Sequence, residues 1–189
     1  MRITFHSILL FVFLTVSTIG QQISFEKEIL NIYVQDSVCS LDGKYFFRNN
    51  SEKLNKFSIY YPIAINGRQD YPNSIIVEDN NYNEIPFVKD KKGVRFYVTI
   101  SADTILPIII EYTQNVSNNS FEYILESTQS WGKPLESAVI KLHIPKELCL
   151  IKTSFNYNRV KKQKDKLVYI IEKENFLPDK NLKIIWRNK

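Results

Sequence analysis

Apolar side chains recur at every second position through much of this chain, and that spacing limits the folds open to it. Phe121, Tyr123 and Leu125 alternate with polar residues, and the stretch from Ile140 to Ile144 repeats the pattern after a turn-rich join. A period of two places successive side chains on opposite faces of a β-strand, whereas a helix needs a period of about 3.6. No sustained helical period is present, so the pattern predicts an all-β protein.

About ten to twelve short strands account for the sequence after residue 20. The stretch from Val94 to Ile100 alternates most regularly, which is typical of a strand with one buried face. Asp42-Gly43 predicts a tight hairpin turn, and Pro62 predicts an edge strand or a bulge because proline cannot donate to a ladder. This spacing predicts an antiparallel β-sandwich. The alternative is two stacked β subdomains that divide near residues 115–120, a polar stretch without periodicity.

The first twenty residues have the layout of a secretory signal peptide. Arg2 supplies a positive start, Ile8 to Val16 is apolar, and small residues lead to Gly20. The apolar run is shorter than the roughly 20 residues that span a bilayer. We therefore expect cleavage near Gly20. The mature protein would then be an all-β domain of residues 21–189, secreted or periplasmic, with no transmembrane span.

Two cysteines and three glycosylation sequons have consequences in an exported protein. Cys39 and Cys149 are the only cysteines, and they form either a disulfide or two buried thiols, since sequence alone cannot show their distance. Asn49, Asn115 and Asn118 begin Asn-x-Ser sequons, which matter only if the source glycosylates exported proteins.

Basic residues are concentrated near the C-terminal end. The whole chain has a formal charge of +5, and residues 159–189 hold ten basic against four acidic residues. A predicted reversal carries five of them: Arg159, Lys161, Lys162, Lys164 and Lys166. They either contact an anionic surface, such as a membrane face or a polyanionic glycan, or form a solvated hairpin tip that discourages sheet-edge pairing. Nucleic acid fits poorly, because an exported chain without a binding motif offers no basis for it.

The sequence offers no local arrangement of catalytic or metal-binding residues. His143 is the one histidine after residue 20, and its place in the strand alternation predicts a solvated side chain on an outer sheet face. One histidine and two distant cysteines do not make a zinc ligand set, and no glycine motif predicts a phosphate-binding cofactor site. We therefore expect no metal and no cofactor. A pair of carboxylates brought together only by the fold stays open, since such pairs need not be close in sequence.

A few aromatic and basic residues are candidates for binding. Trp131, followed closely by Lys133, lies in a loop where its ring either stacks on a sugar or a partner, or folds back to close the end of the sandwich. Tyr71 and Tyr82 lie in polar stretches and are candidates for a recognition surface. Tyr61 is interpreted as a packing residue.

Several stretches resemble a group of exported bacterial β proteins of unknown function. The residues that resemble its early strands are Leu41-Asp-Gly-Lys-Tyr-Phe-Phe-Arg-Asn49 and Tyr60-Tyr61-Pro62. Those similar to its second half are Phe121-Glu-Tyr-Ile-Leu125, Trp131 with Pro134, and Asn175-Phe-Leu-Pro178 leading to Leu182 and Trp186. The resemblance implies an extracytoplasmic β-sandwich with no established activity, and it assigns no functional residues.

The functional hypothesis is an exported, non-enzymatic β-sandwich that presents a binding or structural surface to an envelope protein or a glycan. One alternative is an exported hydrolase whose active site forms only in the fold. A second is an accessory subunit of a larger envelope complex. A deep cleft holding several acidic groups would favour the hydrolase, and an exposed apolar edge strand would favour the accessory subunit.

Overall fold

The computed structural model describes residues 22–189, which form thirteen β-strands and one short 3₁₀ helix and so confirm the all-β prediction. The predicted signal peptide lies outside the described residues. Within the described part of the chain, no helix is long and apolar enough to cross a bilayer. The elements in chain order are β1 (Ile23–Val34), β2 (Val38–Asn49), β3 (Asn55–Pro62), β4 (Ser74–Asp79), β5 (Phe87–Asp90), β6 (Gly93–Ile100), β7 (Ile105–Asn115), β8 (Ser120–Tyr123), the 3₁₀ helix (Glu126–Trp131), β9 (Leu135–Pro145), β10 (Leu148–Thr153), β11 (Arg159–Lys162), β12 (Lys166–Phe176) and β13 (Leu182–Asn188).

The strands form one large and two small sheets. The large sheet has the order β11-β12-β9-β1-β2-β7-β4, the first small sheet is β3-β6-β5, and the second small sheet is β10-β13-β8. Paired strands are antiparallel except β1 and β9, which run parallel within the large sheet. The large sheet takes strands from both sides of residues 115–120, and this polar stretch joins β7 to β8. Strand β3, which ends at Pro62, is an edge strand, as its proline predicts.

The large sheet buries one of its faces, as strand alternation dictates. Leu30 and Ile32 of β1 and Leu41 of β2 are buried, while the residues between them are only half-buried. Phe96 of the first small sheet and Trp186 of the second belong to the same hydrophobic core. Both small sheets therefore cover the buried face of the large sheet. Each large apolar side chain withdrawn from water in this way contributes about 1.5–3 kcal/mol before entropy is counted.

The predicted hairpin turn at Asp42-Gly43 is wrong. Both residues lie within β2, where Gly43 pairs with Leu30 of β1. The chain reverses earlier, where the Gln35 N–H donates to the Val38 carbonyl oxygen at 2.9 Å. Gly43 does not form a turn, and its missing side chain leaves space for the ring of Tyr45.

The prediction of a solvated His143 also needs correction. This residue lies on the outer face of β9, but it is half-buried, and its ring stacks on Tyr33 with centroids 4.3 Å apart. Burial, with smaller contributions from the charges of Lys166 and Lys141, lowers the pKa of the imidazole to about 4. The ring is therefore neutral at pH 7. Strand alternation alone predicts a solvent-exposed His143, but long side chains on neighbouring strands cover it in part.

Candidate binding site at the junction of three sheets

Four strands bring polar side chains into the core where the three sheets meet. Glu28 of β1 and Tyr45 of β2 belong to the large sheet, Tyr61 of β3 to the first small sheet, and Tyr123 of β8 to the second. Each of the four is at most 7% exposed. We call these four residues the junction cluster. They are buried because each falls on the core-facing parity of its strand.

Hydrogen bonds connect the cluster but leave one oxygen atom without a partner. The hydroxyls of Tyr45 and Tyr61 lie 2.7 Å apart. The Tyr123 hydroxyl lies 3.2 Å from the Tyr45 hydroxyl and donates to Glu28 Oε2 at 3.3 Å. Glu28 Oε1 is buried and has no partner. Such an unsatisfied buried polar atom costs about 1–3 kcal/mol.

The junction cluster is uncharged at neutral pH. Burial raises the pKa of Glu28 to about 8, although the hydrogen bond from Tyr123 lowers it in part. Burial also raises the pKa of Tyr45, Tyr61 and Tyr123 well above the ordinary value of tyrosine. The carboxyl is therefore mostly protonated at pH 7, as expected for an acid that lies in a low dielectric without a cation beside it.

A narrow crevice leads from the junction cluster toward solvent. It encloses a cavity of about 40 Å³, and a single water needs only about 10–15 Å³. Its lining residues that reach solvent mark the mouth: Tyr60 and Pro62 on β3, Ile124 just after β8, and Ser127 in the 3₁₀ helix. The crevice therefore lies between the two small sheets, with Glu28 at its base.

Three aromatic rings form one wall of the crevice. The ring of Trp131 lies 6.0 Å from that of Phe25 and 5.6 Å from that of Phe47, and the two phenylalanine rings are 5.2 Å apart. The 3₁₀ helix ends at Gly132, whose φ of 67° is a left-handed conformation suited to glycine. At Gly132 the chain turns toward β9. Trp131, the last residue of the helix, is half-buried and packs against β1 and β2.

A second buried glutamate lies nearby, and the chain supplies its cation. Glu26 sits at a β-bulge in β1, and its carboxylate accepts a hydrogen bond from Lys133 Nζ at 2.7 Å. Burial acts to raise the pKa of Glu26, but hydrogen bonds from Lys133 and Ser24 outweigh it, and the net pKa is lowered. Glu26 is therefore ionised at pH 7. It does not line the crevice.

The junction cluster depends on a glycine in β2. A Cβ atom at Gly43 would lie 2.6 Å from carbon atoms of the Tyr45 ring, far inside van der Waals contact. Gly43 and Tyr45 face the same side of the strand, and the ring leans over the glycine. The glycine that predicted a turn instead makes room for a tyrosine of the cluster.

The structure brings two of the predicted binding residues to this region and leaves two others apart. Trp131 lines the crevice and packs on the core, and Lys133 pairs with Glu26. Tyr71 donates to the Gly93 carbonyl oxygen at 2.9 Å. Tyr82 is 74% exposed in the turn after β4. Neither Tyr71 nor Tyr82 lines the crevice.

The predicted basic reversal is a hairpin formed by β11 and β12, remote from the crevice. All four residues of β11 are exposed, and β11 is an edge strand that two strands separate from β1. Arg159 forms an ion pair with Glu172 of β12. Lys161, Lys162 and Lys164 are exposed. The structure therefore places this charge on a sheet edge and not at the junction.

The two cysteines and the three sequon asparagines differ in how deeply the fold buries them. In the structure Cys39 and Cys149 are both free thiols. Cys39 is buried in β2, which raises the pKa of its thiol. Asn49 is fully buried and donates to the Ile100 carbonyl oxygen at 2.9 Å, so its sequon is closed in the fold. Asn115 and Asn118 are exposed.

Sequence reasoning missed all four residues of the junction cluster as a site, although it noted Tyr61 as a packing residue. One signal was available, because Glu28 has the same strand parity as Leu30 and Ile32 and therefore had to be a carboxyl on an apolar face. Among residues 22–189 there is no group of three or more His, Cys, Asp or Glu side chains placed to hold a metal ion.

Comparisons with known proteins identify the fold but no family. No protein-family model and no curated protein matches the sequence. A Legionella pneumophila protein provisionally described as nutrient-binding has a TM-score of 0.70 at 12% identity, over 87% of this chain and 67% of that chain. An M1 zinc metallopeptidase from Deinococcus radiodurans has a TM-score of 0.55 at 7% identity, over 87% of this chain and 42% of the peptidase. At these identities the likeness is one of fold alone, and it agrees with the earlier resemblance only in the β fold.

Proposed function

We propose that this protein is an exported, non-enzymatic binding module that takes the end of a small ligand into the junction crevice. The observation that carries the proposal is Glu28, which lines a cavity that opens to solvent and whose buried Oε1 atom has no hydrogen-bond partner. Polar groups at the base of an otherwise apolar pocket are what orient a ligand. The provisional description of the Legionella protein as nutrient-binding is consistent with such a role.

The geometry favours binding over hydrolysis. A glycosidase-type mechanism needs two carboxyl groups facing one substrate, and Glu28 is the only acidic residue of the described chain that lines the crevice. Glu26, the other buried glutamate of β1, is ionised but already paired with Lys133. The crevice therefore offers one protonated acid and no second carboxylate to act as a nucleophile or base.

A second candidate role is that of an accessory module in a larger assembly, with an envelope protein or a glycan as its partner. The fold matches 42% of a longer peptidase chain, so this arrangement of sheets also occurs beside other domains. Ile76 of edge strand β4 and Val160 of edge strand β11 are both exposed, and edge strands of this kind can receive another chain. The exposed lysines of β11 would suit an anionic glycan.

Tryptophan fluorescence offers a direct test of the binding proposal. The chain has two tryptophans. Trp131 lines the crevice, while Trp186 is only 2% exposed. The purified protein would be titrated with a panel of small amines, alcohols, carboxylates and sugars, and thermal unfolding would be followed in parallel. A true ligand should change the emission saturably and raise the melting temperature, and Trp131→Phe should remove the emission change.

A matched pair of variants locates the binding. Ile124→Phe narrows the mouth of the crevice and should weaken binding at least tenfold. Ile151→Phe makes the same change at an exposed position of β10, outside the crevice, and should leave binding unchanged. The proposal fails if no compound binds, or if every compound that binds is indifferent to Ile124→Phe.

A further inference from the structure

The junction crevice has the features of a site for a positively charged amine. We propose that it binds an alkylammonium group, with Glu28 as the counter-ion and the aromatic wall around the bound carbon atoms. This inference rests on the proposed function, since it assumes that the crevice takes a ligand, and it names the chemical class of that ligand.

The first argument is the charge of the lining. Of the described residues that line the crevice, none is lysine, arginine or histidine, and the single carboxylic acid is Glu28. A carboxylate or phosphate ligand would therefore meet no compensating cation in a low dielectric, which is costly. A cation would meet a carboxyl group with one oxygen, Oε1, that accepts no hydrogen bond.

The second argument is the shape and chemistry of the wall. A cavity of about 40 Å³ accommodates an ammonium group and its nearest methylene groups, while the rest of a ligand passes out between Tyr60 and Ile124. The rings of Phe25, Phe47 and Trp131 line the same space. Aromatic faces attract cations by about 0.5–2 kcal/mol, more when water is excluded, so the wall favours a charged amine over a neutral alcohol of equal shape.

The third argument is a contrast within β1. Glu26 and Glu28 are both buried, but Glu26 has Lys133 Nζ at 2.7 Å and is ionised. Among residues 22–189, no cation acts on Glu28. The titratable groups that contact it or influence its neighbours are Tyr45, Tyr61 and Tyr123, together with Tyr112 of β7, whose ring lies 6.3 Å from that of Tyr61. An ammonium group in the crevice would pair with Glu28 as Lys133 pairs with Glu26.

Proton balance makes the inference testable. In the free protein the Glu28 carboxyl is mostly protonated below about pH 8, whereas the partner of an ammonium ion must be a carboxylate. Binding therefore releases the carboxyl proton to solvent while the amine keeps its own. At pH 7 the expected release is about 0.9 proton per ligand. The apparent affinity should increase close to tenfold per pH unit from about pH 6 toward pH 8, and then level off.

The probe is pentylammonium, with 1-pentanol and pentanoate as controls of the same length. We expect saturable binding of pentylammonium, at least tenfold weaker binding of pentanol, and none of pentanoate. Calorimetry at pH 7 in two buffers with different ionisation enthalpies measures the proton release. Glu28→Gln should abolish pentylammonium binding, while Glu174→Gln, which removes a charge from an exposed position of β12, should not. Putrescine and Nα-acetyl-lysine amide then distinguish a free amine from a lysine side chain as the source.

Several results would overturn the inference. Equal affinity for pentanol and pentylammonium would do so, as would pentylammonium binding that is independent of pH or unchanged in Glu28→Gln. The pH series on the unmodified protein decides the matter even if a variant fails to fold. Binding of pentanol or a sugar that Ile124→Phe blocks, without binding of pentylammonium, refutes the ammonium inference but leaves the proposed function intact. The absence of any binding in the crevice refutes both.

Discussion

Replacing Glu28 with glutamine should stabilise the protein at neutral pH, because the fold keeps this carboxyl protonated at a pH where it would ionise in water. The amide keeps the shape of the side chain but cannot lose a proton. In the folded protein burial raises the pKa of Glu28 from its ordinary value of 4.5 to about 8. Between these values the unfolded chain has released a proton that the folded protein retains, so the unfolded state is favoured as the pH rises.

The magnitude follows from the width of that interval. A raised folded pKa means that the stability associated with Glu28 is fully present below about pH 4.5 and is lost as the pH rises to about 8. Each pH unit corresponds to about 1.4 kcal/mol, so the loss reaches about 3 kcal/mol at pH 7. This is a substantial part of the 5–15 kcal/mol or so that stabilises a typical domain.

Urea unfolding followed by circular dichroism, at intervals from about pH 4.5 to pH 8.5, measures this effect. The difference in unfolding free energy between Glu28→Gln and the unmodified protein should grow steadily in favour of the variant as the pH rises. Glu174→Gln, at an exposed position, should show no such trend. A difference that stays constant over this range would mean that Glu28 does not retain its proton in the fold, and the account of the junction cluster would be wrong.

Three further predictions concern the surroundings of the crevice. Gly43→Ala forces a Cβ atom into the Tyr45 ring and should cost about 1–3 kcal/mol of unfolding free energy, measured by urea unfolding; an unchanged midpoint would contradict the packing described. Lys133→Met leaves Glu26 without its cation and should cost about 1–2 kcal/mol at pH 7, reduced from the value for a fully buried pair because the lysine is 44% exposed. Because the pKa of Glu26 is lowered in the fold from its ordinary value of 4.5, that cost should be full above pH 4.5 and should diminish as the pH falls below it. Lys161→Met at an exposed position should cost almost nothing at any pH. Both cysteines are free, so dithiothreitol should not change the melting temperature, and a decrease would reveal a disulfide.

Strand identity was predictable from the sequence, whereas the pairing of the strands was not. Alternation over the stretch from Val94 to Ile100 specifies a strand with one buried face, and the structure has β6 there. The parallel pairing of β1 with β9 joins residues more than a hundred positions apart, for example Leu30 with Ile140. Local patterning carries no information about which strand lies beside which, because any two strands with the same alternation can pair.

The same limit explains why the junction cluster could not be found in advance. Its members come from four strands and three sheets, and no two are close in sequence. Trp131 was a candidate on its own, but its contacts with Phe25 and Phe47 depend on the fold. Gly43 was misread as a turn, because its role is to leave space for a neighbouring ring and space is a property of the packed core. Parity alone could have identified Glu28 as an acid on a buried face.

The strongest reason to connect Glu28 with binding is that the fold gains no stability from its carboxyl at neutral pH. A buried acid with an unpartnered oxygen lowers stability at neutral pH, and a glutamine or an apolar residue of similar size would avoid that cost. The core nearby shows how a glutamate is accommodated when it serves packing, because Glu26 is given Lys133 as its partner. At Glu28 the corresponding space is a cavity open to solvent. Residues that reduce stability in this way are concentrated where a protein binds or reacts, and an external cation in that cavity would complete the pair.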